Sequence, residues 1–106
     1  MSFDSDDAVA TELDLYAENE SALYGQFQSI IRNLAAKIKR GKYDAAKAPK
    51  LWAYWYEAAA KRYAKESGSS DWSRMFPKKI RDALAKDRAR DEYEKIRNGE
   101  YDWIRR

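Results

Sequence analysis

A chain of 106 residues with 44% apolar, 37% charged and 14% aromatic side chains supplies one hydrophobic core and not two. It contains no Cys and no His, which excludes disulfides, thiolate nucleophiles, the usual zinc and haem ligation and imidazole acid–base chemistry. No enzymatic activity, cofactor or metal is therefore expected. No apolar run approaches the ~20 residues of a membrane span, and Met1 to Asp7 has neither the basic nor the apolar region of a signal peptide. A soluble intracellular protein with no membrane partner is the expectation.

The net charge of +3 conceals an asymmetry. Residues 1–20 carry seven acidic side chains (Asp4, Asp6, Asp7, Glu12, Asp14, Glu18, Glu20) and no Lys or Arg. The remaining 86 residues carry all 21 Lys and Arg against 11 Asp and Glu, a net +10.

In chain order, residues through about Asp7 are acidic enough to fray. Val9, Leu13 and Tyr16 fit helical spacing, although Leu13-Asp14-Leu15-Tyr16 suits an extended strap equally well. Residues 1–18 are read as an acidic, partly disordered arm, and residues 19–106 as the helical domain. Leu23, Phe27, Ile30, Ile31, Leu34 and Ile38 recur at steps of three and four, predicting a helix over about 21–40 that is capped by Asn19 or Ser21 and ended by Gly41.

Asp44 reads as the N-cap of a second helix, about 45–66, stopped by Ser67-Gly68-Ser69-Ser70. Pro49 either kinks its first turn or marks its true start. Ala48, Leu51, Trp52, Trp55, Ala59 and Tyr63 form its apolar stripe. The short link between these two helices favours an antiparallel pair.

Trp72, Met75 and Phe76 form an apolar knot before a third, highly charged helix over about 77–97. Its pairs Asp82/Lys86, Arg88/Glu92, Arg90/Glu94 and Asp91/Lys95 are spaced for mutual support. Phe76, Ile80, Ala83 and Leu84 point one way, while Ala89, Tyr93 and Ile96 point about 140° or more away. Either the helix breaks near Lys86-Asp87-Arg88, or its halves pack on different partners. The fold class expected is all-α: an antiparallel helical hairpin plus a third charged helix. Gly41-Lys42-Tyr43-Asp44 is echoed by Gly99-Glu100-Tyr101-Asp102, a helix stop, a Tyr packing over the last turn and an Asp able to cap the next segment. Trp103-Ile104 after the second copy predicts a C-terminus docked on the core.

Lys37, Lys39, Arg40, Lys42, Lys47 and Lys50 place six cations within 14 residues around the first turn. A phosphate backbone attracts such a cluster, while the macrodipole at a helix C-terminus by itself favours Lys37, Lys39 and Arg40. On the second helix, Lys47, Lys50, Tyr54, Lys61 and Lys65 lie opposite Trp52 and Trp55. A ring among lysines stacks on an unpaired base while the cations track phosphates; alternatively Tyr54 is an ordinary surface ring or packs on the acidic arm or Trp103. The arm could screen the basic surface, serve as a handle for a basic partner, or simply solubilise the chain. Trp52, Trp55, Tyr56, Tyr63, Trp72 and Trp103 are expected in the core, with a self-association or protein-partner surface as the other possibility.

Leu13 to Glu20, Leu23-Tyr24, Asn33-Leu34, Gly41 to Asp44 and Ala58 to Glu66 resemble a group of short proteins encoded by tailed bacteriophages and their relatives. The likeness spans residues 13–66, with a looser echo at Phe76-Pro77 and Tyr101-Asp102; Pro49 departs from an apolar residue in the group. It implies a compact helical accessory protein of phage origin in the host cytoplasm; the group has no established activity, and no functional residue is carried over from it.

Overall fold

The computed structural model describes residues 5–105. Among these the chain is all-α, with no strand: α1 (Ser5–Asn19), α2 (Ser21–Lys39), α3 (Ala48–Glu66), the short α4 (Trp72–Met75), α5 (Lys78–Arg97) and a closing 3-10 turn (Asp102–Arg105). No described helix is long and apolar enough to cross a membrane.

Helix α3 is the central element, and its composition shows why. Trp52, Trp55, Tyr56, Ala59, Ala60 and Ala64 are buried, a wider apolar arc than the single stripe seen in the sequence, because α2, α1 and α5 cover different sides of it. Helix α2 packs antiparallel to α3 through Leu23, Ile30, Ile31 and Leu34. Phe27 meets Trp52 and Trp55 at ring separations of 5.5 and 5.6 Å, and the Trp55 Nε1 donates to the Leu23 carbonyl at 3.1 Å. Each aromatic pair adds about 0.5–1.5 kcal/mol beyond burial. Pro49 lies in the first turn of α3, where a missing N–H costs no helical bond, so the helix begins at Ala48 and not near residue 45.

Helix α5 runs back along α3, with Phe76 against Tyr63 (5.1 Å) near its start and Tyr93 against Tyr43 (4.5 Å) near its end. It is continuous through residues 86–88. Its two apolar halves do face different neighbours, and the arc between them is filled by Arg88 and Glu92. Of the expected pairs on this helix, Arg88–Glu92 forms at 3.4 Å, whereas Asp82 pairs with Lys78, Arg90 with Asp87 and Asp91, and Lys95 with Glu92.

The acidic segment departs most from expectation. Residues 1–4 lie outside the described residues, but from Ser5 onward the chain is a helix that belongs to the core, not an arm separable at residue 18. Leu13 is 0% exposed and Ala17 is buried. The reason is that α3 and α5 alone leave a face uncovered, and Leu13 and Ala17, one helical turn apart, cover it. The strap alternative is thereby replaced by a helix.

Helices α2 and α5 end alike. Gly41 (φ 70°) and Gly99 (φ 74°) take left-handed conformations, with Lys42 N–H to Lys37 C=O (2.8 Å) and Gly41 N–H to Ile38 C=O (3.1 Å) repeated as Glu100 to Lys95 (3.0 Å) and Gly99 to Ile96 (3.2 Å). This is the Schellman closure, so the Gly-x-Tyr-Asp echo is explained as helix punctuation. The tyrosines do not fold back over the last turn: Tyr43 packs on α5, and Tyr101 reaches Phe27 (6.3 Å). Trp103 and Ile104 rest on the core, and Arg32 lies 5.2 Å over the Trp103 ring.

Candidate functional site

The turn between α2 and α3 brings the expected cations together. Lys37, Lys39, Arg40, Lys42, Lys47 and Lys50 are all exposed, and none forms an ion pair among the described residues. The Asp44 side chain accepts from the Ala46 N–H at 2.8 Å, and its carbonyl accepts from Lys47 and Ala48, so the one acid of the turn is occupied in shaping it. Lys37, Lys42, Lys47 and Lys50 rim a depression of about 470 Å³ floored by Leu34, Ala48 and Leu51. Elsewhere several cations are engaged: Arg62 with Glu20 and Glu66, Lys78 with Asp82, Lys79 with Asp6, Arg88 with three carboxylates.

Tyr54 stands on the outer side of α3, 66% exposed, with Trp52 and Trp55 buried on the opposite side. Among the described residues it makes no ring contact with Trp103, which meets Tyr101 and Arg32 instead. Lys61 is paired with Glu57 at 3.7 Å and lies 5.0 Å over the Trp72 ring; Lys65 is exposed further along the same helix. The stripe is thus free at Lys47, Lys50 and Tyr54, engaged at Lys61 and free again at Lys65. The acidic residues of α1 do not reach this surface. They meet Lys79 (Asp6), the Tyr63 hydroxyl (Glu12) and Arg88 (Asp14, Glu18), so these four acids of the described residues pair away from the turn.

A second polar constellation escaped sequence reading. Arg88, its side chain 11% exposed, lies over the rings of Trp55 (5.1 Å), Tyr56 (5.8 Å) and Trp52 (6.0 Å). Its Nε donates to the Tyr56 hydroxyl at 2.7 Å, its Nη2 to Asp14 at 2.9 Å and to Glu18, and its Nη1 to Glu92 at 3.4 Å. Tyr56 in turn donates to Asp14. Glu92, 1% exposed, also accepts from the Tyr101 hydroxyl at 2.6 Å and faces Lys95 at 3.6 Å. Burial alone would push the Arg88 guanidinium down, but Tyr56, Asp14 and Glu18 outweigh it and hold the group above its ordinary value. Burial, reinforced by hydrogen bonds to carboxylates, raises the Tyr56 and Tyr101 phenols.

Arg88, Tyr56, Asp14, Glu92 and Tyr101 are linked to one another by hydrogen bonds, which fits a clamp joining α1, α3, α5 and the C-terminal segment. The carboxylates gathered there surround a guanidinium, and no group of three or more acidic side chains among the described residues is arranged to hold a metal ion. A signal for the clamp was available. With Ile80 at 0°, Leu84, Arg88, Glu92 and Ile96 fall at about 40°, 80°, 120° and 160° on the helix, so the Arg–Glu pair occupies the middle of the buried arc.

No protein family, curated protein or solved structure matches this chain.

Proposed function

We propose that this chain is a non-enzymatic accessory protein that binds nucleic acid or another polyanion through the basic surface of the α2–α3 turn, with Lys37, Lys39, Arg40, Lys42, Lys47 and Lys50 as its contact residues and Tyr54, Lys61 and Lys65 extending it along α3. The observation behind this reading is the contrast in charge pairing: six cations converge on one turn without an ion-pair partner among the described residues, whereas on α5 Lys78, Lys79, Arg88, Arg90 and Lys95 are paired with acids. Unpaired cations around a concavity release counterions from a phosphate backbone at little desolvation cost. The phage resemblance of residues 13–66 supplies the setting, the cytoplasm of a host cell.

Fluorescence anisotropy with labelled DNA and RNA tests the reading. If all six cations contact phosphates, affinity falls about a thousandfold between roughly 50 and 200 mM salt. Lys37→Gln with Lys42→Gln should flatten that dependence. Absence of binding at low salt refutes the proposal.

A second reading, a protein-interaction or self-association surface, draws on a shallow depression of about 740 Å³ lined by Tyr43, Ala45, Ala46, Pro49, Ala89 and Tyr93 together with Asp82, Lys86 and Arg90. The core consumes most of the aromatics that such a surface would need: Trp52, Trp55 and Tyr56 are buried. Solution mass across a concentration series tests it.

A further inference from the structure

Beside the basic turn, a second depression of about 350 Å³ opens between α3 and the start of α5. It is lined by Lys50, Tyr54, Lys78 and Arg81, with Glu57 and Asp82. Lys50 also lines the 470 Å³ depression at the turn, so the two concavities adjoin at one side chain. Sequence reading had no means of placing Lys78 and Arg81 beside Tyr54, since they are more than twenty residues away and meet it only because α5 runs back along α3.

From this juxtaposition we infer that the surface is a track for single-stranded nucleic acid, with Tyr54 as the ring on which an unpaired base stacks and Lys50 and Arg81 as cations alongside it; this rests on the polyanion reading above. Three observations support the choice of a single strand. Tyr54 is a large ring left 66% exposed on a helix whose other large aromatics are covered, and an exposed ring offers a π-face to any base that is not already paired. One flanking cation is positioned: the Arg81 Nε donates to the Phe76 carbonyl at 3.0 Å, and its guanidinium lies 4.8 Å over the Trp72 ring, which fixes it at the groove wall. The acids of the track are already engaged, Asp82 by Lys78 at 2.6 Å, Glu57 by Lys61 at 3.7 Å and Asp44 by the turn it caps. A duplex buries its base faces in its own stack and would gain nothing from the ring.

The test uses the full chain with two labelled probes at low salt, oligothymidylate and a mixed-sequence duplex of equal length. Oligothymidylate should bind more tightly. Tyr54→Ala should weaken its binding about tenfold, while Tyr54→Phe, which keeps the ring, leaves affinity unchanged. Lys50→Gln should reduce the salt dependence. Circular dichroism melting confirms that each variant folds, as expected for exposed positions. Equal binding of wild type and Tyr54→Ala, duplex binding as tight as single-strand binding, or polyglutamate competing as well as oligothymidylate would each overturn the track. If Lys37→Gln with Lys42→Gln weakens both probes while Tyr54→Ala weakens neither, the track falls and the polyanion reading stands. If neither probe binds, both fall.

Discussion

Arg88→Met removes one guanidinium from the centre of the molecule, and the consequence can be worked out partner by partner. Glu18 is about half exposed and Asp14 one-third exposed, so both carboxylates can regain water. Glu92 cannot: at 1% exposure it keeps only the Tyr101 hydroxyl at 2.6 Å and Lys95 at 3.6 Å. Breaking a buried ion pair from one side costs about 3–5 kcal/mol. Because Tyr101 and Lys95 remain, and Met still covers Trp52 and Trp55, the lower end applies, about 3 kcal/mol, or a fall of roughly 10–20 °C in Tm for a domain of this size. Urea unfolding monitored by tryptophan fluorescence reads this directly, since Trp52 and Trp55 lie under the guanidinium. Adding Glu92→Met removes the stranded carboxylate and should recover at least about 1 kcal/mol relative to the single variant. A loss below about 1 kcal/mol for Arg88→Met, or a double variant that costs the sum of the two single ones, would refute the view that these groups act as one buried clamp.

The same architecture sets three further outcomes. The Tyr56, Tyr101 and Tyr63 phenols are raised above the ordinary value of 10.0; a raised pKa means that the native state holds the proton more tightly, so their stabilisation is complete below pH 10 and is lost as pH rises above it. Stability measured by urea midpoint against pH should therefore decline only above about pH 10, and Tyr56→Phe should make that decline shallower. A chain beginning at Ser21 loses Leu13 and Ala17 from the core and Asp14 and Glu18 from Arg88; it should lose about 5 kcal/mol or fail to fold, visible as loss of cooperative melting, and a stable, helical product would contradict the place given to α1. Gly41→Ala forces a side chain into a left-handed conformation at φ 70°, which should cost about 1–2 kcal/mol in thermal unfolding without affecting α5.

The elements were largely legible in the sequence because each reports its own periodicity. Leu23 to Leu34 mark the face of α2, Gly41 and Gly99 mark its end and that of α5, and Trp52 and Trp55 mark the buried side of α3. Local chemistry alone dictates these features: side-chain spacing sets which face is apolar, and a left-handed residue that only glycine adopts cheaply ends a helix. The exposed cations of the turn were legible for the same reason, since six of them within 14 residues cannot all be covered.

What the sequence did not disclose were pairings between distant elements. An acidic segment with three spaced apolar residues looks the same whether it trails in solvent or closes a core; that Leu13 and Ala17 are buried depends on the face left open by α3 and α5. Arg88 and Glu92 resembled an exposed ion pair, and only the meeting of Asp14, Tyr56 and Tyr101 around them makes a buried charge tolerable. Lys78 and Arg81 came beside Tyr54 through the return of α5 along α3. Sequence alone determined the apolar faces of α2 and α3, the ends of α2 and α5 and the density of cations at the turn. Tertiary structure decided which charges are neutralised inside and which remain free outside, because burial and charge compensation are properties of contacts between elements and not of any one segment.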